Sequence, residues 1–330
     1  MTKIIVLIGC GNIGSRTLQS LVSVDAGSLG GLQIWCMDPS AEALDLARTR
    51  AGEIIGAGSV DGLDLRFVSD VSELPRTIDL AVVSTTSSVR HAAVTALMDH
   101  ARIDRLVLEK FLFTDRQHYA DLSARLNATG TRAWVNCPRP AWPGYMKLAA
   151  RLRGTGPLSI RVAGAGWALA SNAIHFLAAF EAITEERFDR FDGSGLDKDP
   201  IENRRQGYRE VTGTLAASGD GGSSASLVCF KEGRAAVTVD ILGAAGRFII
   251  FEAQSRMLEQ SEETGWDWKE VPFGMLYASQ MAPVFQDLLT AGDCALPDYT
   301  SMFAPHLGLI SIYNRVFFGP GQEDRLCPVT

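Results

Sequence analysis

Two side chains in this sequence are placed to move protons: Lys110 and His175. Lys110 follows Leu106-Val107-Leu108 and Glu109. If that run is a strand of an open α/β sheet, its carboxyl end faces the ligand-binding crevice. A lysine there can take a proton from a substrate hydroxyl while hydride leaves for an oxidised nicotinamide. The ring's positive charge and partial burial both favour the neutral amine. Position alone equally allows a surface lysine paired with Glu109. His175 lies in Ser171-Asn172-Ala173-Ile174-His175-Phe176. On a helix Asn172 and Ser171, three and four residues earlier, share its face. This polar spot on an apolar element could hydrogen-bond a hydroxyl or relay its proton. A core histidine with satisfied bonds is the competing reading. Arg139 and Tyr145 flank a crossover containing Pro138, Pro140 and Pro143. Either could hold an anionic or hydroxylated substrate, or serve as a hinge residue. His91 reads as a surface or helix-capping residue.

These groups need a scaffold, and its first fourteen residues announce one. Ile4–Ile8 is wholly apolar, and Gly9-Cys10-Gly11-Asn12-Ile13-Gly14 follows at once. This reads as a buried strand, a glycine turn and a helix start. Gly9 permits the turn, Gly11 lets backbone approach a pyrophosphate, and Gly14 lets the helix pack on the strand. The next apolar strand, Leu32–Met37, ends at Asp38, 24 residues past Gly14. An acid at that spacing accepts hydrogen bonds from an adenosine ribose. Asp38 should repel a 2′-phosphate, and Pro39-Ser40 offers no arginine to hold one. NAD(H) is therefore expected over NADP(H), with Gly9, Gly11, Asn12, Ile13, Gly14 and Asp38 binding it.

Strand and helix then alternate. Pro39 is expected to open a helix. Strands are expected at Leu65–Val68, Ile78–Ser84, Arg105–Leu108 and Ala133–Val135, with helices from Val89 to Asp99 and Asp115 to Ala128. Thr85-Thr86-Ser87-Ser88 falls where a strand's carboxyl end faces the cofactor. The pattern is that of an α/β Rossmann domain with a doubly wound parallel sheet over residues 1–136. From 137 to 330 the pattern becomes α+β and mostly antiparallel. Helices are expected at Tyr145–Leu152, Asn172–Ile183, Met275–Leu289 and Ala304–Phe318. Strands are expected at Leu158–Ala163, Tyr208–Ala216, Ala225–Phe230, Ala235–Ile241 and Arg247–Gln254. Asp220-Gly221-Gly222 and Glu232-Gly233 read as hairpin turns, and the charged stretch Asp189–Arg205 as a loop. Gly164-Ala165-Gly166 is read as structural rather than as a second nucleotide turn.

Composition narrows the partners. At 330 residues, two domains are expected. The net charge of −7 and the lack of a basic run argue against nucleic acid and anionic membranes. The six cysteines form no C-x-x-C pair and no Cys/His cluster with metal spacing. They are expected to be small core residues in a reducing cytoplasm, with no metal bound. Leu7-Ile8-Gly9-Cys10 imitates a lipoprotein processing site, but only five apolar residues precede it. No apolar run approaches a membrane span.

Together these pieces resemble the glucose–fructose oxidoreductase / inositol dehydrogenase (Gfo/Idh/MocA) family. Gly9–Gly14 fits its cofactor turn, and Thr85–His91 its post-strand threonine…histidine segment. Glu109-Lys110 matches the first two residues of a Glu-Lys-Pro motif, Val135–Pro143 a crossover, and His175 the active-site histidine. Leu296-Pro297 is also familiar. The resemblance implies a Rossmann domain followed by a domain with a large open sheet, commonly the oligomer interface. A homodimer or homotetramer through that sheet is expected. It also implies cofactor contacts from Thr85, His91 and Glu109. The reaction implied is reversible oxidation of a sugar, cyclitol or nucleotide-sugar. Lys110 would be the acid/base, His175 its assistant and Asn172 a positioning group, with Arg139 and Tyr145 on the substrate. Gly166–Phe176 looks closest to members of polysaccharide and nucleotide-sugar pathways.

Two positions depart from the pattern. Phe111 replaces the motif proline, which puts the family's fixed peptide geometry in question. Ser171 stands where many members carry an aspartate to pair with the histidine. Two other readings follow: an imine or keto-acid-derived substrate reductase on this scaffold, and a non-catalytic NAD(H)-binding sensor or subunit.

Overall fold

The structure, a computed structural model, describes residues 2–56 and 61–330. They form two compact units. One gathers Met1–Phe113, Gln117–Asn136 and Leu276–Tyr299; the other Thr114–Arg116, Cys137–Met275 and Thr300–Thr330. The chain thus returns to the first unit late, and the continuous range 137–330 does not describe the second.

The first unit runs β1 (Lys3–Ile8), α1 (Asn12–Leu21), β2 (Leu32–Met37), α2 (Ala41–Ile55), β3 (Leu63–Val68), β4 (Thr77–Val83), α3 (Ser87–His100), β5 (Arg102–Glu109), α4 (Gln117–Thr129) and β6 (Arg132–Asn136). Its six strands lie in the order β3-β2-β1-β4-β5-β6, every pair parallel. Ile5, Val6 and Leu7 are fully buried, as a strand covered on both faces requires. The order reverses at β1, so the ligand crevice lies beyond the carboxyl ends of β1 and β4. Pro39 does not open α2. Ser40 does, its hydroxyl oxygen accepting the Ala43 N–H at 3.2 Å as an N-cap.

The second unit runs α5 (Pro143–Leu152), β7 (Ser159–Ala165), α6 (Leu169–Thr184), β8 (Phe188–Leu196), β9 (Ile201–Glu202), β10 (Arg209–Glu210), β11 (Gly213–Gly219), β12 (Ser224–Phe230), β13 (Thr238–Gly243), β14 (Gly246–Phe251), β15 (Arg256–Ser261) and β16 (Lys269–Pro272). Next α7 (Ala282–Thr290) belongs to the first unit and α8 (Phe303–Phe318) to the second. Eight strands form one sheet, β16-β15-β14-β13-β7-β12-β11-β8. Only β7 and β12 pair in parallel; β9 and β10 form a separate ribbon. One sheet face is buried through Ile160, Val162, Leu227, Val239, Ile241, Phe248 and Ile250. The residues between them point the other way, and there Phe230 and Leu242 are 58% and 50% exposed.

Four readings of the second half change. Phe188–Leu196 is not loop but the edge strand β8, paired with β11. Its charges mark an exposed edge, where they discourage further pairing. Glu232-Gly233 is not a hairpin turn, because β7 lies between β12 and β13. Tyr208–Ala216 is broken into β10 and β11, with Gly213 at φ +95°. The helix expected from Met275 begins only at Ala282, with Pro283 in its first turn. Among the described residues no helix is long and apolar enough to cross a membrane. None of the six cysteines is in a disulfide, and all but Cys294 are buried.

Candidate active site

The glycine turn is built by close approach. Gly9 follows β1 at φ +87°, and a Cβ there would lie 2.9 Å from the Thr85 nitrogen. A Cβ on Gly14 would lie 1.8 Å from the Gly9 carbonyl oxygen. Gly11, Asn12 and Ile13 are exposed. A Cβ on Gly11 would meet nothing within 4 Å, and no side chain caps the start of α1. Its first-turn N–H groups therefore remain for an anion. Asp38 fixes the turn from β2: its carboxylate accepts the Cys10 N–H at 2.7 Å and the Ser40 N–H at 2.9 Å. Beyond β4, the Ser84 and Thr85 hydroxyls are buried without a hydrogen-bond partner. Orphaned hydroxyls beside an uncapped helix start fit a dinucleotide.

The end of β5 is clamped. Arg90, 1% exposed on α3, donates to the carbonyls of Phe111, Leu112 and Thr85, the Leu112 bond being 2.7 Å. It ties the segment after Lys110 to the segment after β4. Lys110 is half-buried, and the Lys110–Phe111 peptide is cis. Phe111 thus does not leave this bond in the usual trans form. Glu109 is buried and accepts from the Asn136 amide of β6. His91 does not cap α3; it lies on the helix's second turn. Its Nε2 is 2.8 Å from Asp121 Oδ2, and its ring stacks on His118 with centroids 3.7 Å apart. That hydrogen bond, foremost, holds the Asp121 carboxyl below its ordinary pKa.

In the second unit, α6 carries His175, half-buried on a helix whose Ile174, Phe176 and Leu177 are buried. Asn172 donates from Nδ2 to the Trp167 carbonyl at 2.8 Å. Ser171 meets a carboxylate from another element. Glu210 of β10, 3% exposed, accepts the Ser171 hydroxyl, the Ser171 N–H at 3.3 Å and the Asn203 amide at 2.8 Å. Arg139 and Tyr145 converge on Glu252. Arg139 donates twice, at 2.8 and 2.7 Å, and the Tyr145 hydroxyl once, at 2.6 Å. Arg139 also lies over the Phe176 ring, 3.9 Å from its centroid. Burial opposes the Arg139 charge, yet Glu252 raises its pKa above the usual arginine value. Burial, then the Glu252 charge, pushes the Tyr145 phenol well up.

Arg90, Glu210 and Glu252 were invisible as site residues in the sequence. Arg90 sits in an ordinary helix, Glu210 lies on β10 with Ser171 39 residues away, and Glu252 opens the short turn after β14, more than 100 residues from Arg139 and Tyr145. A buried carboxylate must find donors, but which ones only the fold decides.

No protein-family model matches the chain, and no curated protein does. Solved structures do match over nearly the whole length. The UDP-N-acetylglucosamine 3-dehydrogenase GnnA from Acidithiobacillus ferrooxidans is 13% identical, with a TM-score of 0.69 over 94% of this chain and 97% of that one. An oxidoreductase from Agrobacterium radiobacter, in complex with NAD+, L-tartaric acid and magnesium, is 12% identical, with a TM-score of 0.69 over 96% and 97%. A super-repressor mutant of Gal80p from Saccharomyces cerevisiae is 12% identical, with a TM-score of 0.71 over 97% of each chain. At such identities the likeness carries the architecture, and the chain has the fold of the Gfo/Idh/MocA-type oxidoreductases.

Proposed function

We propose that this protein is an NAD-dependent oxidoreductase. It transfers hydride to or from a carbohydrate-type substrate, a sugar, cyclitol or nucleotide-sugar. The observation that carries this reading is the glycine turn, with its uncapped helix start, orphaned Ser84 and Thr85 hydroxyls, and Asp38 at the end of β2. Gly9, Gly11, Asn12, Ile13 and Gly14 would hold the cofactor, with contacts from Thr85, His91 and Glu109. Asp38 favours NAD(H) over NADP(H), since a 2′-phosphate would meet a carboxylate. When bound, the nicotinamide supplies the hydride acceptor or donor. Lys110 Nζ takes the hydroxyl proton during oxidation and returns it during reduction, with His175 assisting and Asn172 positioning the substrate. Arg139 and Tyr145 would hold the substrate, Arg139 with the N–H groups that Glu252 does not take. The protein works as a homodimer or homotetramer through the exposed face of the eight-stranded sheet, in the reducing cytoplasm.

The test is NADH appearance with NAD⁺ and a panel of free sugars, cyclitols and UDP-sugars, using wild type and Lys110→Ala. One oxidised substrate is expected, with kcat down about 10²–10⁴-fold in the variant and NADH affinity retained. Turnover that survives Lys110→Ala overturns the role of Lys110. Activity confined to imine or keto-acid products would make the protein a reductase of those groups. The fold shared with a Gal80p super-repressor, together with Ser171, favours one second reading: an NAD(H)-binding sensor. Tight NADH binding with no turnover of any substrate would establish it.

A further inference from the structure

The second unit contains a cavity of about 400 Å³ at the start of α6. Its lining is layered by charge. Deep in the wall lies Glu210, 3% exposed, held by Ser171 and Asn203. Beside it is Asn172, whose amide nitrogen is spent on Trp167. Among the described residues its carbonyl oxygen makes no hydrogen bond. Trp167 adds an indole whose N–H is satisfied by the Val228 carbonyl at 2.9 Å, leaving the ring as an apolar wall. At the rim stands Arg204, exposed and without an ion pair among the described residues. Glu202 shares the rim and lies 4.0 Å from Arg209.

The rim is not a loose loop. The Asn203 N–H bonds the Tyr208 carbonyl at 2.9 Å, and the Arg205 N–H bonds Asn203 Oδ1 at 3.0 Å. Asn203 then ties the turn to Glu210. Arg204 is thus presented from a turn pinned to the cavity wall. Of the acceptors inside, the Asn172 carbonyl oxygen calls for a hydroxyl donor, while the Glu210 carboxylate is already served by Ser171 and Asn203 and holds the wall together. The guanidinium at the mouth calls for a carboxylate or phosphate, which it can bind in two-point fashion. A ring wall suits the apolar face of a sugar.

We propose that this cavity binds an anionic sugar, a hydroxyl on the Asn172 carbonyl oxygen and its carboxylate or phosphate on Arg204. The inference rests on the carbohydrate reading of the site and sharpens it from sugars in general to acidic or phosphorylated ones. Arg204 then sets specificity rather than performing chemistry.

Calorimetric titration of the NADH-loaded protein tests it, with myo-inositol, D-glucuronate, D-glucose 6-phosphate and UDP-N-acetylglucosamine as probes. At least one anionic probe is expected to bind ten-fold or more tighter than the neutral cyclitol. Arg204→Ala should weaken that probe at least ten-fold and leave the cyclitol unchanged. Added salt should weaken it in wild type and little in the variant. The preferred sugar separates carboxylate from phosphate. No binding by any probe, equal binding of neutral and anionic probes, or Arg204→Ala without effect overturns the proposal. Parallel assays of NADH appearance keep the two readings apart. Turnover with KM unmoved by Arg204→Ala sinks the anion site alone. Arg204-dependent binding without turnover sinks the dehydrogenase alone.

Discussion

Glu252 shows how one residue can decide the use of others. Arg139 and Tyr145 have the chemistry of ligand binders, yet two Arg139 N–H groups and the Tyr145 hydroxyl donate to this buried carboxylate. The Arg139 and Glu252 side chains are 14% and 11% exposed, so neither charge is left in water. Removing one partner strands the other, which costs more than the pair is worth. Arg139→Met should therefore lower stability by about 3–5 kcal/mol, read from urea unfolding. Arg139→Met with Glu252→Gln should recover part of that loss, because the orphaned charge is gone. An unchanged unfolding midpoint in the single variant would free Arg139 for a direct role with substrate.

At the scale of elements, two junctions control the site. The first is β1 to α1. A methyl group at Gly14 has nowhere to go, since backbone of Gly9 already occupies its place. Gly14→Ala should push α1 off the sheet, lower stability by about 1–3 kcal/mol and weaken NADH binding. Gly11→Ala, facing open space, should fold normally. Thermal melts with and without NADH separate the two. The second junction is α6 to β8. Glu181 accepts the Phe188 N–H at 3.0 Å there. Burial raises its pKa to about 7, with Asp189 and Asp220 adding to the rise and Arg187 and the Phe188 N–H opposing it. Its folded pKa exceeds the unfolded one, so the folded state holds the extra proton between about 4.5 and 7. That contribution is present at pH 4.5 and lost as pH rises through 7. Glu181→Gln should match wild type near pH 5 and exceed it by up to about 3 kcal/mol near pH 8. Parallel unfolding curves at both pH values would refute this assignment.

For the whole molecule, the open face of the eight-stranded sheet is the conspicuous surface. Leu242 stands out from it beside the Asp240–Arg247 ion pair, 2.6 Å long, and Phe230 stands out near the other end of the strands. Apolar groups set among paired charges suit a self-association surface better than bare solvent. Leu242→Glu, at a half-exposed position, should leave the unfolding free energy of the subunit within about 0.5 kcal/mol of wild type. It should shift the mass in light scattering toward the monomer. A wild type that is already monomeric would remove this interface.

The sequence by itself determined the strand and helix order of the first unit as far as β6, while the return of Leu276–Tyr299 to that unit was decided by the fold. A parallel sheet buried on both faces writes apolar runs, and a dinucleotide turn needs glycine where backbone must touch backbone. Both leave local marks, so β1, α1, β2 and the need for glycine at positions 9 and 14 could be read directly. The second unit was legible as strands and helices but not as pairings. An edge strand such as β8 is charged like a loop, and a hairpin cannot be told from two strands separated by a third. The same limit hid Arg90, Glu210 and Glu252. Each satisfies a requirement set by burial, that a charge find donors or acceptors. Burial depends on which distant segments pack together, and only the tertiary structure decides that.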